Sequence, residues 1–154
     1  MEKTRVLFLC SHNSARSQMA EALLRHYAGD QFDAYSAGLE ASEINPMTRQ
    51  VINELAIDMR GQYSKPLTTY IGKTHFDYLI TVCSKAEERC PIFPGMGVRL
   101  HWQFDDPAAF NGTEEQKLDE FRRVRDQIQS RVQAWIADQN ASAGAEIWPM
   151  MNHT

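Results

Sequence analysis

Cys10-Ser11-His12-Asn13-Ser14-Ala15-Arg16-Ser17 sets a nucleophile, a small polar loop and a guanidinium within eight positions. A cysteine reacts as its thiolate, and cations or a helix N-terminus favour that form. The planar donor fork of Arg16 suits a tetrahedral oxyanion. Ser17 is placed to donate its hydroxyl to the thiolate sulfur, and Asn13 tolerates the left-handed backbone that a tight anion loop needs. The residues Ser11, His12, Asn13, Ser14, Ala15 and Arg16 therefore read as an oxyanion-binding loop behind Cys10. An isolated cysteine at a strand end is ordinarily a small core residue, so the setting of the loop decides its meaning.

That setting is a strand on one side and a helix on the other. Val6-Leu7-Phe8-Leu9 is a short apolar block of buried-strand type, and Met19, Leu23 and Tyr27 recur at helical spacing after the loop. The loop thus opens a helix, where free N–H groups and the positive end of the dipole attract an anion. Further strand-like blocks cover residues 33–37, 76–82 and 98–102, after a first block at 4–9. Asn45-Pro46 supplies an N-cap and a first-turn proline for a helix carrying Val51, Ile52 and Leu55. Thr113-Glu114-Glu115-Gln116 has capping-box spacing and opens a long helix whose Leu118, Phe121, Val124, Ile128, Val132 and Trp135 form a core stripe. Alternation of strands and helices predicts an α/β fold, a three-layer doubly wound parallel four-stranded sheet with helices on both faces. Ligands of such sheets bind at the carboxyl ends of strands, where Cys10 lies.

The 154 residues fit one catalytic domain, expected over 1–139, followed by a flexible tail over 140–154. Ile147, Trp148, Met150 and Met151 are the apolar exceptions in that tail and could dock on a neighbour. A net charge of −4 argues against a general nucleic-acid surface, and no apolar run approaches membrane-spanning length. No signal-peptide pattern precedes the first strand, and three cysteines make no framework of paired bridges, so a reducing cytoplasm is expected.

Cys83 also emerges at a strand end, after Phe76-Asp77-Tyr78-Leu79-Ile80-Thr81-Val82. Ser84-Lys85-Ala86-Glu87 has capping-box spacing, and Cys90-Pro91 closes the segment, which predicts a short helix between the two thiols. Three readings compete: two buried structural thiols, a zinc site drawing on Cys83, Cys90 and His101, or a redox pair. The spacing is wide for zinc and a fourth ligand is missing, whereas a redox pair accounts for Cys10 as well.

The Cys-x5-Arg-Ser loop resembles that of the low-molecular-weight protein tyrosine phosphatase fold, and Ser17-Gln18-Met19-Ala20-Glu21 resembles its thioredoxin-coupled arsenate reductase branch. The resemblance runs over about residues 4 to 137. It includes Tyr35-Ser36-Ala37-Gly38, Asn45-Pro46, Cys83, Cys90-Pro91, His101-Trp102, Phe104-Asp105-Asp106-Pro107 and Arg122-Arg123-Val124-Arg125. It implies that Asp106, before Pro107, is the general acid that protonates a leaving oxygen. Asp105 then orders the loop or raises the acid's pKa by repulsion. For a reductase, Cys83 would attack a Cys10–arsenic adduct, Cys90 would then attack Cys83, and thioredoxin would reduce the resulting disulfide. The alternative is a phosphatase that hydrolyses phosphotyrosine through phospho-cysteine. Ala108-Ala109 stands where such phosphatases carry aromatic residues, which favours the reductase with phosphatase activity as a side reaction. No cofactor and no resident metal are expected, and the protein is expected to act as a monomer on arsenate or a phosphate-like oxyanion.

Three positions depart from the branch. Ala15 replaces a cysteine outside the relay. His12 replaces a small residue and could pair with the thiolate, add positive charge, or simply face solvent. Lys65 stands where related reductases carry an aspartate that helps Asn13, Glu21 and Ser36 hold potassium, so its ammonium is expected to take the cation's place.

Overall fold

The computed structural model describes the chain from residue 3 to residue 151 apart from residue 93, with its side chains to residue 142. Four strands, β1 (Thr4–Cys10), β2 (Phe32–Gly38), β3 (Phe76–Thr81) and β4 (Met96–His101), form one sheet in the order β2-β1-β3-β4. Every pairing is parallel, with Leu9 opposite both Ala37 and Thr81. Val6, Leu7, Phe8 and Leu9 are all fully buried, so layers cover both faces of β1. The chain leaves β1 to one side for β2 and then returns to its other side for β3. The reversal opens a crevice at the carboxyl ends of β1 and β3.

The helices are α1 (Arg16–Ala28), α2 (Pro46–Asn53), α3 (Ser84–Arg89) and α4 (Glu114–Met151). Asn45 caps α2 by accepting from Met47 N at 2.9 Å. At the start of α4 the capping box is reciprocal: Gln116 N donates to Thr113 Oγ1 and Thr113 N to Gln116 Oε1, at 3.2 and 3.0 Å. Phe121, Val124, Ile128, Val132 and Trp135 carry the expected stripe into the core. Trp135 stacks against Phe32, Tyr78 and Trp102, so α4 ties β2, β3 and the segment after β4 together. Losing a buried ring such as Phe121 typically costs about 3–5 kcal/mol.

Two details differ from the sequence reading. Tyr27 leaves the apolar stripe of α1 for the surface, where its hydroxyl accepts from Gln129 Nε2 at 2.7 Å. The helix α4 runs on to Met151, across the position where a tail was expected to begin. The side chains of Ile147, Trp148, Met150 and Met151 lie outside the described residues. No helix among the described residues is long and apolar enough to cross a membrane.

Candidate active site

Parallel pairing of β1 with β3 brings the first two thiols together. Leu9 faces Thr81, Val82 N donates to Leu9 O at 2.9 Å, and Cys10 and Cys83 therefore leave adjacent strands side by side. Both are free and buried. They open on a cavity of about 320 Å³ whose wall includes Ser11, His12, Arg16, Asp106 and Ala108.

The loop from Ser11 to Ala15 is held from outside. The carbonyls of Cys10, Ser11 and Ser14 accept from Leu39 N, Glu40 N and Asn45 N, each at 3.0 Å. Asn13 takes φ 54°, the left-handed turn expected of it. A Cβ on Gly38 would lie 2.8 Å from Asn13 N, so only glycine permits this approach. Among the described residues, the N–H groups of residues 12–15 have no partner within the protein. No side chain caps α1, because Ala15 occupies the N-cap. These donors and the helix dipole are left for an anion.

Arg16 closes the cradle. Its Nη1 donates to Phe104 O at 3.1 Å, and its Nη2 lies 3.7 Å from Asp106 Oδ2. Its Nε is buried without a partner, an orphan donor that an oxyanion would satisfy. Asp106 follows β4 and caps a short 3-10 turn, Pro107–Ala109, through Ala108 N. Half-exposed and facing the cavity, it stands where a general acid is needed. Asp105 is tied to α4 by Arg123 Nη2 at 3.1 Å, which fits a loop-ordering part. Ala108 lines the cavity and leaves it without an aromatic wall on that side, while Phe110 is exposed.

The two thiols share charge unevenly. Cys83 is the N-cap of α3, and its sulfur accepts from Ala86 N at 3.4 Å and lies 3.3 Å from Ser11 Oγ. The Cys10 thiol lines the same cavity. The Cys10 side chain, with Ser11, the Ala86 N–H and the Arg16 charge, pulls the Cys83 pKa down against the effect of burial. The Cys83 side chain and burial push Cys10 up, opposed by Arg16.

Several side chains take other partners than expected. Ser17 accepts from Asn13 Nδ2 at 2.8 Å and makes no bond to Cys10 among the described residues. Asn13's left-handed turn aims its amide at that hydroxyl. His12 lies near the surface, 3.9 Å from Glu40 Oε2. Ser84 does not cap α3; it donates instead to Gln103 Oε1 at 3.0 Å. His101 turns to Thr81 and Gln103, so Cys83, Cys90 and His101 form no metal-binding cluster among the described residues. Cys90 is buried at the far end of α3, where burial holds its pKa up against the Arg99 charge.

Behind the loop, Lys65 is buried with its Nζ 2.9 Å from Tyr63 O and 3.8 Å from Glu21 Oε1. Glu21 also accepts from Ser36 Oγ and Arg25 Nη2, both at 2.6 Å. Lys65 N donates to Asn13 Oδ1 at 3.0 Å, which joins Asn13, Glu21, Ser36 and Lys65 in one network. An ammonium already balances the carboxylate, so these residues do not fit a bound potassium ion. Gln18 and Gln62 extend the network: Gln18 Nε2 reaches Asn13 Oδ1, and Gln62 Nε2 reaches Gln18 Oε1, both at 2.8 Å. Sequence reasoning missed both glutamines, because neither amide carries a local signal of its distant partner.

Comparison with known proteins gives the same picture. Residues 5–144 match the low molecular weight phosphotyrosine protein phosphatase family. An arsenate reductase of Bacillus subtilis (strain 168) is 43% identical over 132 residues, which are 86% of this chain and 94% of that one. A solved arsenate reductase in the phosphate binding state superposes with a TM-score of 0.74 at 32% identity, covering 88% of this chain and 98% of its own. A thioredoxin-dependent arsenate reductase of Corynebacterium glutamicum gives a TM-score of 0.59 at 33% identity, over 86% of this chain and 63% of that one. Matched from residue 5 to residue 144, the chain belongs to the low molecular weight phosphotyrosine protein phosphatase family.

Proposed function

We propose that this protein is a thioredoxin-dependent arsenate reductase working by a relay through Cys10, Cys83 and Cys90. The carrying observation is the serial arrangement of three free thiols: two side by side at the anion cradle and the third at the end of the helix that begins beside them. Simple hydrolysis would need only the first. Arsenate reductases at 43% identity support the same reading.

Arsenate enters the cradle, where the loop N–H groups and Arg16 Nε bind its oxygens. Cys10 gives up its proton to solvent, and its thiolate, favoured by the loop N–H groups and Arg16, attacks arsenic while Asp106 protonates the departing oxygen as water. The Cys83 thiolate, favoured by Ser11 and the start of α3, then attacks the Cys10 sulfur. The sulfur–arsenic bond breaks, its electron pair stays on arsenic, and arsenite leaves a Cys10–Cys83 disulfide. Cys90 as thiolate attacks Cys83, freeing Cys10 and forming Cys83–Cys90, which thioredoxin reduces with two electrons. Ser17 acts through Asn13 as a positioning residue. The cradle, Cys10 and Asp106 also suffice for slow hydrolysis of small aryl phosphates.

One chain supplies every group in this sequence, in keeping with a monomer. Thiols that must return to the reduced form after each turnover suit the cytoplasm. The Lys65 ammonium supplies the positive charge beside Glu21, so turnover is insensitive to potassium. The test of the whole reading is purified protein with arsenate, thioredoxin, thioredoxin reductase and NADPH. Arsenate-dependent NADPH loss is expected, and its absence with each component active would refute the function.

A further inference from the structure

Helix α3 has six residues, and only Ala86 among them is buried. A helix so short is marginal alone, and its last carbonyls lack intrahelical partners. Arg99, on the edge strand β4, supplies those partners. Its Nη1 donates to Cys90 O at 3.2 Å, its Nη2 donates to Glu87 O, and its Nε lies 3.4 Å from Glu87 Oε2. Glu87 is held in turn by the Thr81 hydroxyl at 2.6 Å. At the other end Ser84 is fastened to Gln103. The helix is thus pinned to β4 and the segment after it by polar bonds, with little apolar burial.

Those bonds oppose a disulfide between its ends. Seven helical steps hold the Cys83 and Cys90 backbones roughly 10 Å apart, and a disulfide tolerates Cα separations of about 4.4–6.8 Å. Cys90 must therefore travel roughly 3–6 Å toward Cys83. One guanidinium cannot keep both the Glu87 and the Cys90 carbonyl through that movement.

We propose that Arg99 is the latch of the relay: it holds residues 84–90 closed in the reduced protein, and its release lets Cys90 reach Cys83. The proposal rests on the relay reading above and makes Arg99 a positioning residue. The same guanidinium offsets part of the rise that burial imposes on the Cys90 thiol.

The test begins with amide exchange on the reduced protein, which needs no arsenate. In Arg99→Met, residues 84–90 should exchange about tenfold faster or more, the effect of losing charge-assisted bonds to two carbonyls. Arg99→Lys, with one donor group in place of a fork, should fall between. Exchange in β1 and α1 should be unchanged. Unaltered exchange at 84–90, or an equal rise in β1 and α1, would overturn the latch. The second arm follows one turnover with arsenate and no thioredoxin, comparing each protein on the alkaline plateau where its conversion rate no longer rises with pH, with disulfides mapped after acid quench. Cys10–Cys83 should form at the wild-type rate in Arg99→Met, and its conversion to Cys83–Cys90 should be faster. An equal or slower conversion would overturn the latch. A wild-type protein that never forms Cys83–Cys90 would refute the relay itself, and the exchange arm would still judge the helix.

Discussion

Replacing Lys65 by alanine removes the cation that balances Glu21 behind the anion loop. At 3.8 Å and an effective dielectric near 20, the ammonium–carboxylate attraction is about 4 kcal/mol before desolvation. Burial already works against the charge, holding the Lys65 pKa down. Arg25, 2.6 Å from the same carboxylate, remains in the variant. Removing one partner of a buried pair costs about 3–5 kcal/mol, and the surviving Arg25 reduces that to about 2 kcal/mol. For a chain of this size the loss is a fall of roughly 4–8 °C in Tm. The variant leaves oxygens of Glu21, Ser36, Asn13 and Tyr63 around the space, a donor set suited to a hard monovalent cation. Thermal unfolding of both proteins in KCl and in NaCl at equal ionic strength is the assay, with reductase turnover measured beside it. The wild type should show no preference between the salts, and Lys65→Ala should regain part of its lost Tm in potassium. Several-fold activation of the wild type by potassium over sodium, or an unchanged Tm in the variant, would refute the reasoning.

Cys10→Ser should abolish both arsenate reduction and aryl phosphate hydrolysis, measured by coupled NADPH loss and by nitrophenol release. Cys83→Ser and Cys90→Ser should lose reductase turnover and keep the hydrolysis; wild-type turnover by Cys83→Ser would break the relay. Asp106→Asn should slow hydrolysis about 100- to 10,000-fold, and an unchanged rate would move the acid elsewhere, with Asp105 the first candidate. The hydrogen bonds of Arg122, joined by Arg125, hold the Glu54 carboxyl below its usual range. The unfolded chain therefore takes up that proton at higher pH than the folded one. The stabilisation is whole above the ordinary glutamate pKa and is lost as pH falls through the lowered folded value. Glu54→Gln should flatten the fall in stability between about pH 5 and pH 3, read by urea unfolding, and an identical acid limb would remove Glu54 from the account.

The site was legible where its chemistry is local in sequence. An apolar strand, an anion loop and a helix start occupy consecutive residues, so β1, the Cys10 loop and α1 could be read together, as could the Asn45 and Thr113 caps. Parallel order then fixed why Cys83 lies beside Cys10. Less legible were choices settled by backbone angle. Cys83 caps α3 because its extended φ of −150° turns the sulfur onto Ala86 N, and the side-chain rule that pointed to Ser84 does not consider a thiol acceptor. Ser17 turned to Asn13 for a similar reason. Contacts across long separations were beyond reach: Arg99 on Cys90, Gln62 on Gln18 and Lys65 on Glu21 depend on how strands and loops are laid side by side.

The most direct measurement of the central claim is a stoichiometry. Fully reduced protein is mixed with excess arsenate and no thioredoxin, and arsenite and protein thiols are counted after acid quench. Two electrons from two thiols should yield one arsenite per chain and one disulfide, mapped to Cys83–Cys90, with Cys10 returned to the thiol. Release of no arsenite, or of arsenite with all three thiols still reduced, would contradict the account.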